Sequence, residues 1–163
     1  MSKDEEQEQE LIAERAKEIL NLSGNCAQSA FATLQEQFNL DGETILKALT
    51  PFPGLALRGE ACGAVVGSLM ALGLVYGRNN LSDQKGYVKS LPSARRFCAQ
   101  FEEKFGGTSC GCVLETTMGK KFDLADREES NEYLLVGGQQ KCGEVVANAV
   151  QIASVMIRRK IKL

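Results

Sequence analysis

The stretch RGEACGAVVGSLMALG, residues 58–73, restricts the fold of this chain more than any other. Gly63, Gly67 and Ala71 fall four residues apart, as do Ala64 and Ser68. A helix through them therefore carries one side almost bare of side chains, and a second backbone can approach it closely. Five glycines lie between Gly59 and Gly77, and each interior one weakens an isolated helix by about 1 kcal/mol relative to alanine. Tight packing or a bound group must offset that cost. The sequence predicts a glycine turn at 59 and a central helix over 60–76, with Cys62 in its first turn and Gly77 as its C-terminal cap.

The flanking patterns are helical as well. Ile12, Ala16, Ile19 and Leu20 give an amphipathic helix over 5–22. Ser23-Gly24-Asn25 ends it, and Asn25 or Ser23 caps a second helix over 26–38, with Ala27, Ala30, Phe31 and Leu34 on its core side. A short helix over 43–49 stops before Pro51 and Pro53. Pro92 and Ser93 suit the first turn of a helix reaching Phe105, in which Phe97, Phe101 and Phe105 form a core stripe. Residues 106–112 read as a glycine loop presenting two thiols, 126–136 as a short helix, and 141–161 as a closing helix after Gly137-Gly138. No stretch alternates like a strand, and no fixed-period repeat is present. The expectation is an all-α fold, a single domain over residues 1–163 bundling about five to six helices around the glycine-rich one.

The chemistry is set by six cysteines and no histidine. Without histidine the Cys-x-x-Cys-His haem attachment, Ser-His-Asp and Cys-His catalysis and all histidine-containing zinc sites are excluded. Residues 1–10 are acidic and polar, read as a frayed start lacking the basic and apolar regions of a secretory signal. The chain is thus expected in the cytoplasm, where thiols stay reduced and six cysteines point to metal or redox chemistry rather than a disulfide framework. The 19 basic and 21 acidic side chains leave a formal charge of −2, implying neither a nucleic-acid nor a membrane-surface partner. The apolar run over 61–77 is too short to span a bilayer. With no phosphate loop or paired carboxylates at catalytic spacing, a hydrolase or kinase is unsupported, and a role without an organic substrate is favoured.

Cys26, Cys62 and Cys142 each fall at an expected helix start, and Cys110 in the glycine loop. Amides at a helix start favour a thiolate and can donate to the sulfurs of a bound group. Cys98, beside Phe97 and one turn from Phe101, reads as core filling. Cys112 stays open between ligand, resolving thiol and bystander. Arg58 is either a counter-charge to a thiolate site or a solvated turn residue. The long intervals between cysteines diagnose no particular metal.

Cys26-Ala27-Gln28-Ser29-Ala30, then Gly59 through Cys62-Gly63-Ala64-x-x-Gly67, then Phe105-Gly106-Gly107-Thr108-Ser109-Cys110, then Cys142 heading a helix, resembles the redox-active C_GCAxxG_C_C family. The resemblance implies that Cys26, Cys62, Cys110 and Cys142 are the family cysteines. It is also similar to a domain of split-Soret-type cytochromes associated with an iron–sulfur centre and haem. Only the cluster carries over, since this chain lacks haem-attachment and histidine ligands. Cys98 and Cys112 depart from the family pattern, and Cys112 is a fifth candidate ligand that could replace or supplement Cys110. The resemblance thus implies an iron–sulfur protein in electron transfer or redox sensing, working with a redox partner protein. A metal-free thiol–disulfide protein and a structural zinc module held by four cysteines are the alternatives. The bare glycine face and the cytochrome likeness together suggest a homodimer.

Overall fold

The computed structural model describes residues 3–162. All regular structure there is helical: α1 (Lys3–Ser23), α2 (Cys26–Phe38), α3 (Glu43–Ala48), α4 (Gly54–Leu57), α5 (Gly63–Tyr76), α6 (Gln84–Phe105), α7 (Cys110–Met118), α8 (Arg127–Leu135) and α9 (Gly138–Ile161). The all-α expectation holds, but nine helices among the described residues exceed the expected five to six. The excess comes from short elements whose starts are local. α7 opens because the Ser109 side chain accepts the Cys112 N–H, which turns the expected glycine loop into a helix from Cys110 onward. α4 is a single turn of the opposite hand, with Gly54, Leu55, Ala56 and Leu57 at φ 56°, 50°, 60° and 64°. For its non-glycine residues that conformation costs roughly 1–2 kcal/mol each.

The glycine face performs the role its spacing suggests, within this chain. A Cβ at Gly67 would fall on the Ala27 carbonyl and lie 3.0 Å from both Ala30 Cβ and the Phe31 N, so α2 rests directly on α5. This intrachain contact occupies the surface that suggested a second copy. The hub of the bundle is nevertheless α9, which packs against α1, α2, α5, α6, α7 and α8. Its Val146, Ala149, Val150, Ala153 and Ile157 are fully buried. The Phe97, Phe101 and Phe105 stripe lies in the core with ring centroids 6.2 and 4.7 Å apart. Burying each ring contributes roughly 1.5–3 kcal/mol.

Three boundaries differ from expectation. α6 begins at Gln84, where Asp83 accepts the Gly86 N–H, so Pro92 lies inside the helix rather than in its first turn. Proline there forfeits one N–H bond, to the Val88 carbonyl, and Val88 is exposed, so water can take the partner's place. α5 begins at Gly63, leaving Cys62 as its extended N-cap residue. α9 begins at Gly138, which puts Cys142 in the second turn instead of at the helix start.

The acidic N-terminus is helical from Lys3, where the sequence suggests fraying; Met1 and Ser2 lie outside the described residues. Glu8 pairs with Arg158, and Gln9 donates to Ser154 Oγ at 2.9 Å, tying α1 to the end of α9. Among the described residues no helix is long and apolar enough to cross a membrane.

Candidate thiol site

The N-terminus of α5 lies where the cysteines meet. Cys26 is the first residue of α2, set by Asn25, whose side chain accepts the Gln28 N–H and donates to the Thr50 carbonyl at 3.0 Å. Its sulfur lies against Gly63 so tightly that a Cβ there would overlap it, and the Gly63 N–H acts on it. The amides of Ala64 and Val65 act on the Cys62 sulfur. One helix start thus serves two thiols, which is the electrostatic arrangement a helix N-terminus favours.

Cys110 joins them through the backbone. Residues 59–62 run antiparallel to 108–111: Cys62 N donates to the Thr108 carbonyl at 2.8 Å, Cys110 N to Glu60 and Gly111 N to Gly59 at 3.0 Å, around an Ala61–Ser109 bridge. A Cβ at Gly54 would meet the Cys110 Cβ at 3.4 Å and its Sγ at 3.6 Å, so the left-handed α4 turn forms a wall of the site. Cys142 completes it from α9.

The four thiols influence one another's ionisation. Cys26 feels Cys142 and Cys110, Cys62 feels Cys26 and Cys110, and Cys110 feels Cys142. Cys62 is buried, while the other three keep partial contact with solvent. All six cysteines are free thiols.

The amides act in the direction the sequence suggests, yet burial outweighs them. Desolvation pushes Cys26 up to about 12 and Cys110 up to about 11, with neighbouring thiolates adding to both. Cys62 moves well above its ordinary value for the same reasons. Cys142 is also raised by burial, and Tyr133 partly offsets the shift through a hydrogen bond that favours the thiolate.

Tyr133 is the residue that sequence reasoning passes over. It projects from α8 into the site, where burial and then Cys142 raise its own pKa, and it also senses Cys26 and Cys110. Its ring covers Gly138 so closely that no Cβ fits there, and Phe122 meets it edge-on at 5.9 Å. Gly137-Gly138, just after Tyr133 and before Cys142, is the signal in the sequence.

The other candidates lie apart from the four. Cys98 on α6 is raised by partial burial and by Glu102, and packs against the core cluster, as its sequence context suggests. The Cys112 sulfur would lie 3.4 Å from a Cβ at Gly107, and the couplings among the four sulfurs do not include it. Arg58 is exposed and lines an outer cavity with Lys121 and Glu129.

A tetrahedral zinc at about 2.3 Å from each sulfur draws thiolates to within about 3.8 Å of one another. Among the described residues, no three Cys, Asp or Glu side chains are gathered closely enough to hold a single ion. The donors are four thiols, with helix-start amides on two of them and a close approach at Gly63 that a Cβ would fill. A polynuclear sulfur-ligated group is larger than one ion and does not require its ligand sulfurs to lie that close together.

A relative from Archaeoglobus fulgidus, described as "Uncharacterized protein", is 28% identical over 155 residues, covering 90% of this chain and 93% of its own. No solved structure matches. The family model described as "Putative redox-active protein (C_GCAxxG_C_C)" matches residues 24–156, a span holding the four thiols, Gly63 and Tyr133. The chain belongs to this redox-active C_GCAxxG_C_C family.

Proposed function

We propose that the protein carries an iron–sulfur cluster ligated by Cys26, Cys62, Cys110 and Cys142 and passes single electrons to and from a redox partner protein, or senses redox state through it. What supports this reading most is the packing of Cys26 on Gly63 and the main-chain pairing of Cys62 with the Cys110 segment at the start of α5, with Cys142 near enough to influence Cys26 and Cys110. When bound, such a cluster supplies a one-electron couple, tuned by hydrogen bonds to its sulfurs and by burial.

This chain's own residues hold that site in shape. Gly63, Ala64 and Val65 direct amides at the Cys26 and Cys62 sulfurs, and Tyr133 directs a hydroxyl at Cys142. The half-buried positions of Cys26, Cys110 and Cys142 leave a short path to the surface for a partner.

Thiol–disulfide exchange fits less well, because an attacking thiol is activated by a lowered pKa and burial raises all four. A lone zinc needs its sulfurs closer together.

Anaerobic purification followed by iron and acid-labile sulfide analysis tests the reading. A brown protein with matching iron and sulfide, both lost in Cys62→Ser, is expected. A colourless, iron-free preparation from iron-replete cells overturns it.

A further inference from the structure

Within a formal charge of −2, four cations share one groove toward the far end of α9 from the four-cysteine site. A groove of about 360 Å³ between α6 and α9 is lined by Lys89 and Arg96 from one helix and Arg159 and Lys160 from the other, with no carboxylate among its lining residues. From Cys142 to Lys160 is roughly 27 Å along α9 at 1.5 Å per residue.

Arg15 pairs with Glu36, Lys17 with Glu144, Lys120 with Glu132 and Arg158 with Glu8, while Lys47, Arg58 and Arg127 form no ion pair among the described residues; what sets the groove apart is that four cations line one cavity without a carboxylate. Lys89, Arg96 and Lys160 form no ion pair among the described residues, and Arg159 also lines an adjoining cavity with Glu5. The helix dipole accounts for basic residues in the last turn of α9. It gives no reason for Lys89 and Arg96, which lie within α6 and face them across the groove. All four are exposed and line the same groove, so an anion seated there would meet several positive charges at once.

The remaining lining narrows the anion's chemistry. Tyr76, Pro92 and Met156 give the groove an apolar side. The Tyr76 ring is fixed by its hydroxyl, which donates to the Met156 carbonyl at 2.7 Å, and Lys160 Nζ stands 5.9 Å from its centroid. The groove's volume falls in the range of small-molecule sites, about 300–1,000 Å³. An apolar aromatic wall in a groove also lined by Lys and Arg side chains matches a ligand with a flat ring at one end and phosphates at the other.

We infer that this groove is a second binding site, separate from the thiols, for a nucleotide-class phosphate ester. The cations hold the phosphates, and the Tyr76 side takes the flat ring.

Isothermal titration calorimetry on the full chain, at constant ionic strength, tests it with ADP, inorganic pyrophosphate and adenosine as probes. ADP is expected to saturate one site and to bind more tightly than pyrophosphate or adenosine. Neutralising two of the groove's cations in Arg96→Gln with Lys160→Gln is expected to weaken ADP at least about tenfold. Lys47→Gln with Arg127→Gln, which removes the same charge away from the groove, is expected to leave binding unchanged. Absence of saturable ADP binding, pyrophosphate binding as tightly as ADP, or equal weakening by the two double variants would each overturn the inference. Helical circular dichroism of each variant establishes that the fold is intact in the comparison.

Discussion

Gly63 lies so close to Cys26 that a methyl group on the first occupies the space of the sulfur on the second. The contact couples the packing of α2 on α5 to the position of a candidate ligand. Gly63→Ala is therefore expected to displace Cys26, with a cost of about 1–3 kcal/mol from overpacking. Further along the same helix, Gly73 has nothing within 4 Å of an added Cβ. Gly73→Ala is expected to stabilise by about 0.5–1 kcal/mol through helix propensity. Urea unfolding of the two variants, with iron content measured alongside, checks both signs. If the two substitutions act alike, the close approach at 63 is not what determines the effect.

The raised thiols predict how stability of the reduced, metal-free protein depends on pH. Burial lifts Cys26 to about 12 and Cys110 to about 11 from an ordinary 9.0, so the folded state holds these protons more tightly than the unfolded one. Their contribution is complete below pH 9 and disappears as pH rises toward the folded values. The unfolding free energy from urea titration is expected to fall between about pH 9 and 11, by at most about 1.4 kcal/mol per pH unit for each thiol. In a Cys26→Ala variant the fall should be shallower.

Tyr133→Phe keeps the ring over Gly138 but removes the hydroxyl from Cys142. Stability is expected to change little, whereas the loaded protein should show a more negative reduction potential, because a hydrogen bond to a ligand sulfur favours the reduced form. Potentiometric titration against wild type measures it. An unchanged potential would leave Tyr133 a packing residue only.

Ser68 is fully buried in α5, and its hydroxyl has no hydrogen-bond partner among the described residues. Burying an unpaired hydroxyl costs about 1–3 kcal/mol. Ser68→Ala removes it without changing the backbone and is expected to raise the thermal midpoint. A lower midpoint would mean that the hydroxyl is satisfied in solution.

Much of this architecture can be read from residue order because it depends on local rules. Asn25 caps α2 where the pattern ends, and the phenylalanines of α6 recur at the helical period. What escapes local reading depends on capping choices and on partners distant in sequence. Pro92 resembles a helix start until Asp83 is seen capping that helix earlier. Glycines around Cys110 suggest a loop, yet Ser109 starts a helix there. Gly138 resembles a stop, but it opens α9 and leaves room for the Tyr133 ring. The upward thiol shifts could not be seen either, because spacing places amides at a helix start but carries no information about how much water burial removes.

The antiparallel pairing of residues 59–62 with 108–111 is made by main-chain groups alone. The anchor points of Cys62 and Cys110 are thus fixed by atoms that every amino acid except proline possesses. Ala61, Thr108 and their neighbours can exchange side chains over evolutionary time without altering the span between those two anchors. Proline at 62, 110 or 111 would break it by deleting a donor.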